Sequence, residues 1–288
     1  MRGGSVAEGS GVTMAKPVRP GRWGDLGKRI GSAVILAPLA LACLWFGREA
    51  WALLIAIGGA GCGAEWARLC KASPWRGAGA VLTFGIAILP IVTYFGGAGP
   101  AALVAVVLFF AIWAMKSGEE GAAWLAGGMP YLAPAAIALI LLRHSAIVGR
   151  ADMFFLVLII WASDIGAYVV GRLVGGPKLA PAISPGKTWS GAVGGLAAAA
   201  LIGLVVAFAV GRPLSVFHCL LISMAIGIAS QLGDLLESGF KRHFGVKDSG
   251  RSIPGHGGLL DRMDGMLTAA PMAALVAVLI GEGIRLWQ

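Results

Sequence analysis

Charge is scarce in this sequence. Only 13% of its 288 residues are Asp, Glu, Lys or Arg, and 58% are hydrophobic. A soluble domain carries roughly a quarter charged residues, so an ordinary water-soluble fold is excluded. Acids are the scarcer sign, 14 against 23 bases. Cysteine is limited to Cys43, Cys62, Cys70 and Cys219, which lie in or beside apolar runs without metal-type spacing. That argues against a disulfide framework and against a zinc site. Alternation of apolar and polar residues is missing too, because the apolar runs are continuous. Helices are therefore expected rather than a transmembrane barrel.

What is present is a succession of apolar runs long enough to cross a bilayer. They predict an all-α polytopic membrane protein of about nine transmembrane helices. The runs cover residues 31–47, 50–66, 77–97, 101–115, 122–142, 153–171, 191–210, 214–233 and 266–284. Three regions follow. Residues 1–30 read as a basic, Gly-rich, disordered tail; 31–150 hold the N-terminal helices; 151–288 hold the residues with chemistry. Lys28 and Arg29 precede an apolar run ending at Cys43, superficially like a signal peptide, but the run continues through Phe46 and further spans follow.

Most of the 23 Lys and Arg fall in alternate segments between spans, beginning with the N-terminal tail. This positive-inside asymmetry puts the N-terminus and the 231–265 loop in the cytoplasm and the C-terminus outside. The net charge of +9 thus reports topology and attraction to anionic lipid. It does not call for nucleic acid.

Three stretches interrupt the apolar pattern. Glu65 and Arg68, one turn apart at the end of the second span, read as an exposed pair. Asp164 stands within the sixth span, where an acid should face the bundle interior, either paired with Arg172 or serving function. The loop after it, GGPKLAPAISPGKTWSG over 175–191, lacks the glycine and the preceding strand of a Walker loop. Ser184, Lys187 and Thr188 can still offer donors to phosphate oxygens.

The third stretch, 231–265, is the densest in charge. Asp234 closes one span, where helix carbonyls add negative potential. Asp261 and Asp264 open the next, three residues apart and so on one helical face. Acids converging from two helix ends suit a hard cation such as Mg²⁺, although Asp261 alone would equally suit a helix N-cap. His256, beside glycines, reads as a phosphate donor or loop strut, since Mg²⁺ does not favour imidazole.

The run Ser238-x-Phe240-Lys241-Arg242, Lys247-Asp248, Ile253-Pro254-x-His256-Gly257-Gly258-Leu259-x-Asp261-Arg262-Met263-Asp264 resembles the signature of bacterial phosphatidate cytidylyltransferases. Residues 163–191 resemble the same family's second region, with Gly186 where the family more often has Lys or Asn and Ser190 where it usually has Glu. The resemblance implies transfer of cytidylyl from CTP to phosphatidic acid at the bacterial inner membrane, with Mg²⁺ and room for a second metal ion. It implies metal ligation by Asp234, Asp261 and Asp264, with Lys241 and Arg242 catalytic. Ser184, Lys187, Thr188, Ser238, Lys247, His256, Arg262 and Asp164 are the implied substrate contacts. A homodimer is compatible with it. Two rival readings stand beside it. A CDP-alcohol phosphotransferase shares Asp261-Arg262-Met263-Asp264-Gly265 but needs a further Arg and acids that are missing. An ion-coupled transporter would also place acids in broken spans.

Overall fold

The structure is a computed structural model. It describes residues 22–145, 148–211, 213–253, 255, 257–281 and 284–288. Nine helices occur among them: α1 (Arg22–Phe46), α2 (Arg48–Leu69), α3 (Gly77–Gly96), α4 (Ala98–Lys116), α5 (Ala122–His144), α6 (Gly149–Val174), α7 (Trp189–Val210), α8 (Val216–His243) and α9 (Leu260–Ile280). Eight of them are long and apolar enough to span a bilayer, and α1 contributes a shorter apolar stretch, Val34–Phe46. The all-α membrane architecture read from hydropathy is therefore what the chain adopts. Large apolar side chains such as Phe95, Leu173 and Val278 stand on the surface, as lipid contact requires and water would penalise.

Two local differences from expectation stand out. Helix α1 begins at Arg22, inside the stretch expected to be an unstructured tail, because Trp23, Leu26 and Ile30 recur at helical spacing. The loop between α6 and α7 is an antiparallel hairpin of β1 (Lys178–Ala180) and β2 (Ser184–Thr188). A Pro- and Gly-rich run gives little sequence signal for strands, which is why this pairing was not expected.

The halves divided at residue 150 are not separate bodies. One buried cluster joins Trp51 and Ile55 of α2, Leu139 of α5, Phe155 of α6 and Ala270 of α9. A second joins Trp66, Leu82 and Met129 to Leu260 and Leu267.

The two ends of the bundle differ. At one end Arg143, closing α5, donates from Nε to the Leu44 carbonyl (2.7 Å) and from Nη2 to the Trp45 carbonyl (3.0 Å). These are last-turn carbonyls of α1 that no helical N–H can reach. At the same end buried Asp152 accepts from the Leu286 N–H at 3.1 Å, and Trp287 packs on Phe155. The other end gathers the C-termini of α2, α6 and α8, the N-termini of α7 and α9, and the hairpin. Nearly all of the polar chemistry singled out in the sequence lies here.

Candidate active site

Helix α8 supplies three side chains at this end, each a turn apart, Asp234, Ser238 and Lys241, with Glu237 beside them. Helix α9 crosses α8 tightly. A Cβ on Gly233 would meet the Asp264 carbonyl and Thr268 Oγ1, and one on Gly265 would meet Ser230 Oγ. Only glycine lets the two backbones come this close. The crossing sets Asp234 and Asp264 on neighbouring turns, within electrostatic reach of each other and of Asp164.

A cavity of about 490 Å³ opens between α6, α7, α8 and the hairpin. Asp164, Arg172, Lys187, Gln231 and Asp234 line it. Lys187 Nζ lies 2.6 Å from Asp234 Oδ2, and Ser238 Oγ is 3.4 Å from Asp234 Oδ1. Gln231 reaches from α8 to Ser163 Oγ and the Ala192 carbonyl, both at 3.2 Å, tying α6 and α7 to the cavity's inner wall. Asp164 makes no ion pair among the described residues, and Arg172 instead donates to the Tyr168 hydroxyl at 3.3 Å. The internal pair of Asp164 with Arg172 is thus not formed. Tyr168, which lines the cavity, is exposed, as are Trp189 and Val193 on the first turns of α7.

Asp261 lies apart from that cavity group. Its Oδ1 accepts from Lys241 Nζ at 2.8 Å, and its Oδ2 accepts from the Ser249 N–H (3.0 Å) and the Gly258 N–H (2.9 Å). Lys241 also sits 3.3 Å from Glu237 Oε2. Among the described residues no three acidic, histidine or cysteine side chains converge closely enough to hold a metal by themselves. The geometry gives Asp261 the task of anchoring the loop before α9, close to the helix-capping alternative.

The remaining expected contacts fall into two groups. Thr188 is buried and caps α7, accepting from the Gly191 N–H at 3.1 Å, so its hydroxyl serves the helix first. Arg242 donates to the Ile183 carbonyl at 3.2 Å and ties α8 to the hairpin. Ser184 is half-buried in β2, opposite Ala180. Lys247 and Arg262 are exposed on the loop and on the first turn of α9. His256 and Pro254 lie outside the described residues.

A model of the cytidylyltransferase family matches residues 27–280. The chain belongs to that family. It is 39% identical over 261 residues to the phosphatidate cytidylyltransferase of Brucella suis biovar 1 (strain 1330), covering 90% of this chain and 95% of the relative. It is 47% identical over 130 residues to the phosphatidate cytidylyltransferase of Staphylococcus haemolyticus (strain JCSC1435), 45% of this chain and 50% of that relative. Nothing in these matches supports the phosphotransferase or transporter readings. At Ser190, where the resemblance leads one to expect an acid, the smaller residue has a structural task. Ser190 Oγ sits 3.0 Å from Thr188 Oγ1 and donates to the Gly175 carbonyl, closing the base of the hairpin.

Two acids escaped the sequence reading. Glu237 is fully buried between Lys241 and the α8–α9 crossing. Glu65, expected to be an exposed partner of Arg68, is also fully buried. Its carboxylate accepts from Leu259 N (2.9 Å), Leu260 N (2.8 Å) and Ser249 Oγ (3.1 Å), while Arg68 faces outward. The signal available for Glu65 was its position in a span otherwise free of acids beyond the first turn.

Proposed function

We infer that this chain is a phosphatidate cytidylyltransferase. It joins a phosphate oxygen of phosphatidic acid to the α-phosphorus of CTP and releases pyrophosphate, forming CDP-diacylglycerol. The observation that carries the reading is the Lys187–Asp234 pair in the wall of a cavity that exposed Tyr168 of α6 also lines. Such a cavity admits a headgroup sideways while its tails stay in the bilayer. The named relatives supply the substrate pair.

Little acid–base work is needed. The nucleophile is already an anionic phosphate oxygen. The new P–O bond forms as the bond from the α-phosphorus to the bridging oxygen breaks, and the electron pair leaves with pyrophosphate. Catalysis then rests on positioning and on neutralising charge. Lys187 holds an ammonium at the cavity wall, where it meets phosphate oxygens. Exposed Arg262 and Lys247 lie on the neighbouring loop and first turn of α9, on the water-facing side from which a triphosphate would approach. Lys241, held between Glu237 and Asp261, fixes the loop edge of the site.

Magnesium fits Asp234 and Asp264. The two acids stand on either side of the close α8–α9 crossing at Gly233, and one or two carboxylates plus substrate phosphates is the ordinary protein share of a Mg²⁺ site. Asp261 is held more fully, by Lys241 and two backbone N–H groups, whereas Asp234 meets only two side chains, Lys187 and Ser238, so we assign Asp261 to the loop rather than to the metal. For a second ion, Asp164 and Glu237 are the remaining acids nearby. The metal would supply neutralisation of phosphate charge as pyrophosphate departs. We place this end of the bundle at the cytoplasmic face of a bacterial plasma membrane, on the strength of the Lys/Arg asymmetry. The test is purified protein with labelled CTP, phosphatidic acid and Mg²⁺. A lipid-soluble cytidine product is expected, and its absence from well-folded protein would overturn the proposal.

A further inference from the structure

Glu65 lies on α2, in the half of the chain where the sequence offered no chemistry, yet it closes the start of α9. A helix begins with N–H groups that have no partner within the helix. At α9 the N-cap residue is Leu259, whose side chain cannot accept a hydrogen bond. Glu65 takes that part from another helix. One oxygen receives the Leu259 N–H and the other the Leu260 N–H, and Ser249 Oγ adds a third donor. Negative charge at a helix N-terminus also meets the positive end of the helix dipole.

The loop is shaped around this carboxylate. A Cβ on Gly250 would come within 2.6 Å of Glu65 Oε1, and one on Gly258 within 2.7 Å of Oε2. Side chains at these positions would collide with the acid, so both glycines serve it. No Lys or Arg among the described residues forms an ion pair with Glu65. The hydrogen bonds that Glu65 accepts from the loop are thus what compensates its burial. The turn so fixed carries Asp261 and leads directly to Asp264.

We propose that Glu65 is a positioning residue for cytidylyl transfer, setting the register of the first turn of α9 and hence the placement of Asp264. The inference rests on the function proposed above. Glu65→Gln keeps the volume but turns one acceptor into a donor aimed at an N–H or hydroxyl. The first turn must then shift, and displacement of a reacting group by about 1 Å costs up to about 10²-fold.

The experiment uses the full-length protein in detergent and has two readouts. One is kcat and KM for CTP. The other is the rate of tryptic cleavage at exposed Lys247 and Arg251, which needs no activity. Trp287→Phe, at the opposite end of the bundle, serves as a control for general loosening. In Glu65→Gln, kcat should fall about 10- to 100-fold with KM for CTP little changed, and loop cleavage should accelerate beyond that in the control. Ser249→Ala, which removes one donor and keeps the acid, should move both readouts the same way by less. Wild-type kcat and wild-type cleavage in both variants overturn the proposal. So do changes no larger than those in a control of matched melting temperature. If Glu65→Gln does not fold, the Ser249→Ala result decides by the same criteria. If wild-type protein makes no lipid product, the proposed function fails, and the cleavage readout still decides whether Glu65 holds the loop.

Discussion

Replacing Lys187 by Met tests the reading of the cavity directly. The substitution keeps a long unbranched side chain and removes the ammonium that lies 2.6 Å from Asp234 Oδ2. The two side chains are 24% and 38% exposed, so solvent screens the pair, and exposed pairs contribute about 0.2–1 kcal/mol. A stability loss of at most about 1 kcal/mol corresponds to a melting shift of about 2 °C for a chain of this size. The effect on turnover should be far larger. Removing one donor from developing transition-state charge costs about 2.7–4 kcal/mol, or about 10²- to 10³-fold in kcat. The assay pairs the labelled-CTP reaction with a thermal melt of the same preparation. The charge-swapped double variant, Lys187→Asp with Asp234→Lys, separates the two roles. It should recover the melting temperature and none of the activity. Recovery of activity to near wild-type would refute the argument and make the pair a structural bridge.

Asp264→Asn keeps an oxygen and loses the charge, so the protein should insert and melt normally yet lose activity by about 10²-fold. Raised Mg²⁺ or Mn²⁺ should restore part of it, and near-normal turnover at ordinary Mg²⁺ would remove Asp264 from the metal site. Gly233→Ala adds a methyl against the Asp264 carbonyl and Thr268 Oγ1. It should destabilise by about 1–3 kcal/mol and lower activity as well, and an unchanged melt would show that the crossing is slack. A cysteine at exposed Arg251 should react only with reagent on the cytoplasmic side, and one at exposed Glu49 only from outside. Labelling of both from one face would overturn the assignment of sides.

The sequence was most informative where a physical requirement acts on neighbours in the chain. Continuous apolar runs declared the helices, because backbone groups in lipid must be satisfied within a segment. Asp234, Asp261 and Asp264 draw attention together because each sits at a break between spans, and Lys187 separately as a donor in a Pro/Gly loop. Asp261 is ambiguous in sequence, since a carboxylate at a helix start serves as a cap or as a ligand, and its three donors, Lys241 and two backbone N–H groups, come from residues no local spacing singles out. Glu65 was misread for a different reason. Its partners are 184 to 195 residues away, whereas Arg68 is three residues away, so local spacing favoured the wrong neighbour. The hairpin escaped because prolines and glycines hide a strand of so few residues.

The length of α8 also bears on the membrane itself. Its exposed large apolar residues run Val216, Phe217, Leu221, Met224, Ile228, Leu232 and Leu236, and there they stop, with Arg242 and His243 next on the surface. From Val216 to Leu236 a helix rises about 30 Å, which is the thickness of the hydrocarbon core. Asp234 therefore stands at the depth where acyl chains give way to headgroups, and Lys241 stands about 10 Å above it along the helix. On the proposed function, lipid phosphate and nucleotide phosphates would meet in that plane without either crossing into the other's solvent. Bilayer thickness thereby becomes a property of the catalyst. Lipids a few carbons longer would draw the headgroup plane past Asp234 or tilt the helix, and each ångström of mismatch carries a cost of a fraction of a kcal/mol.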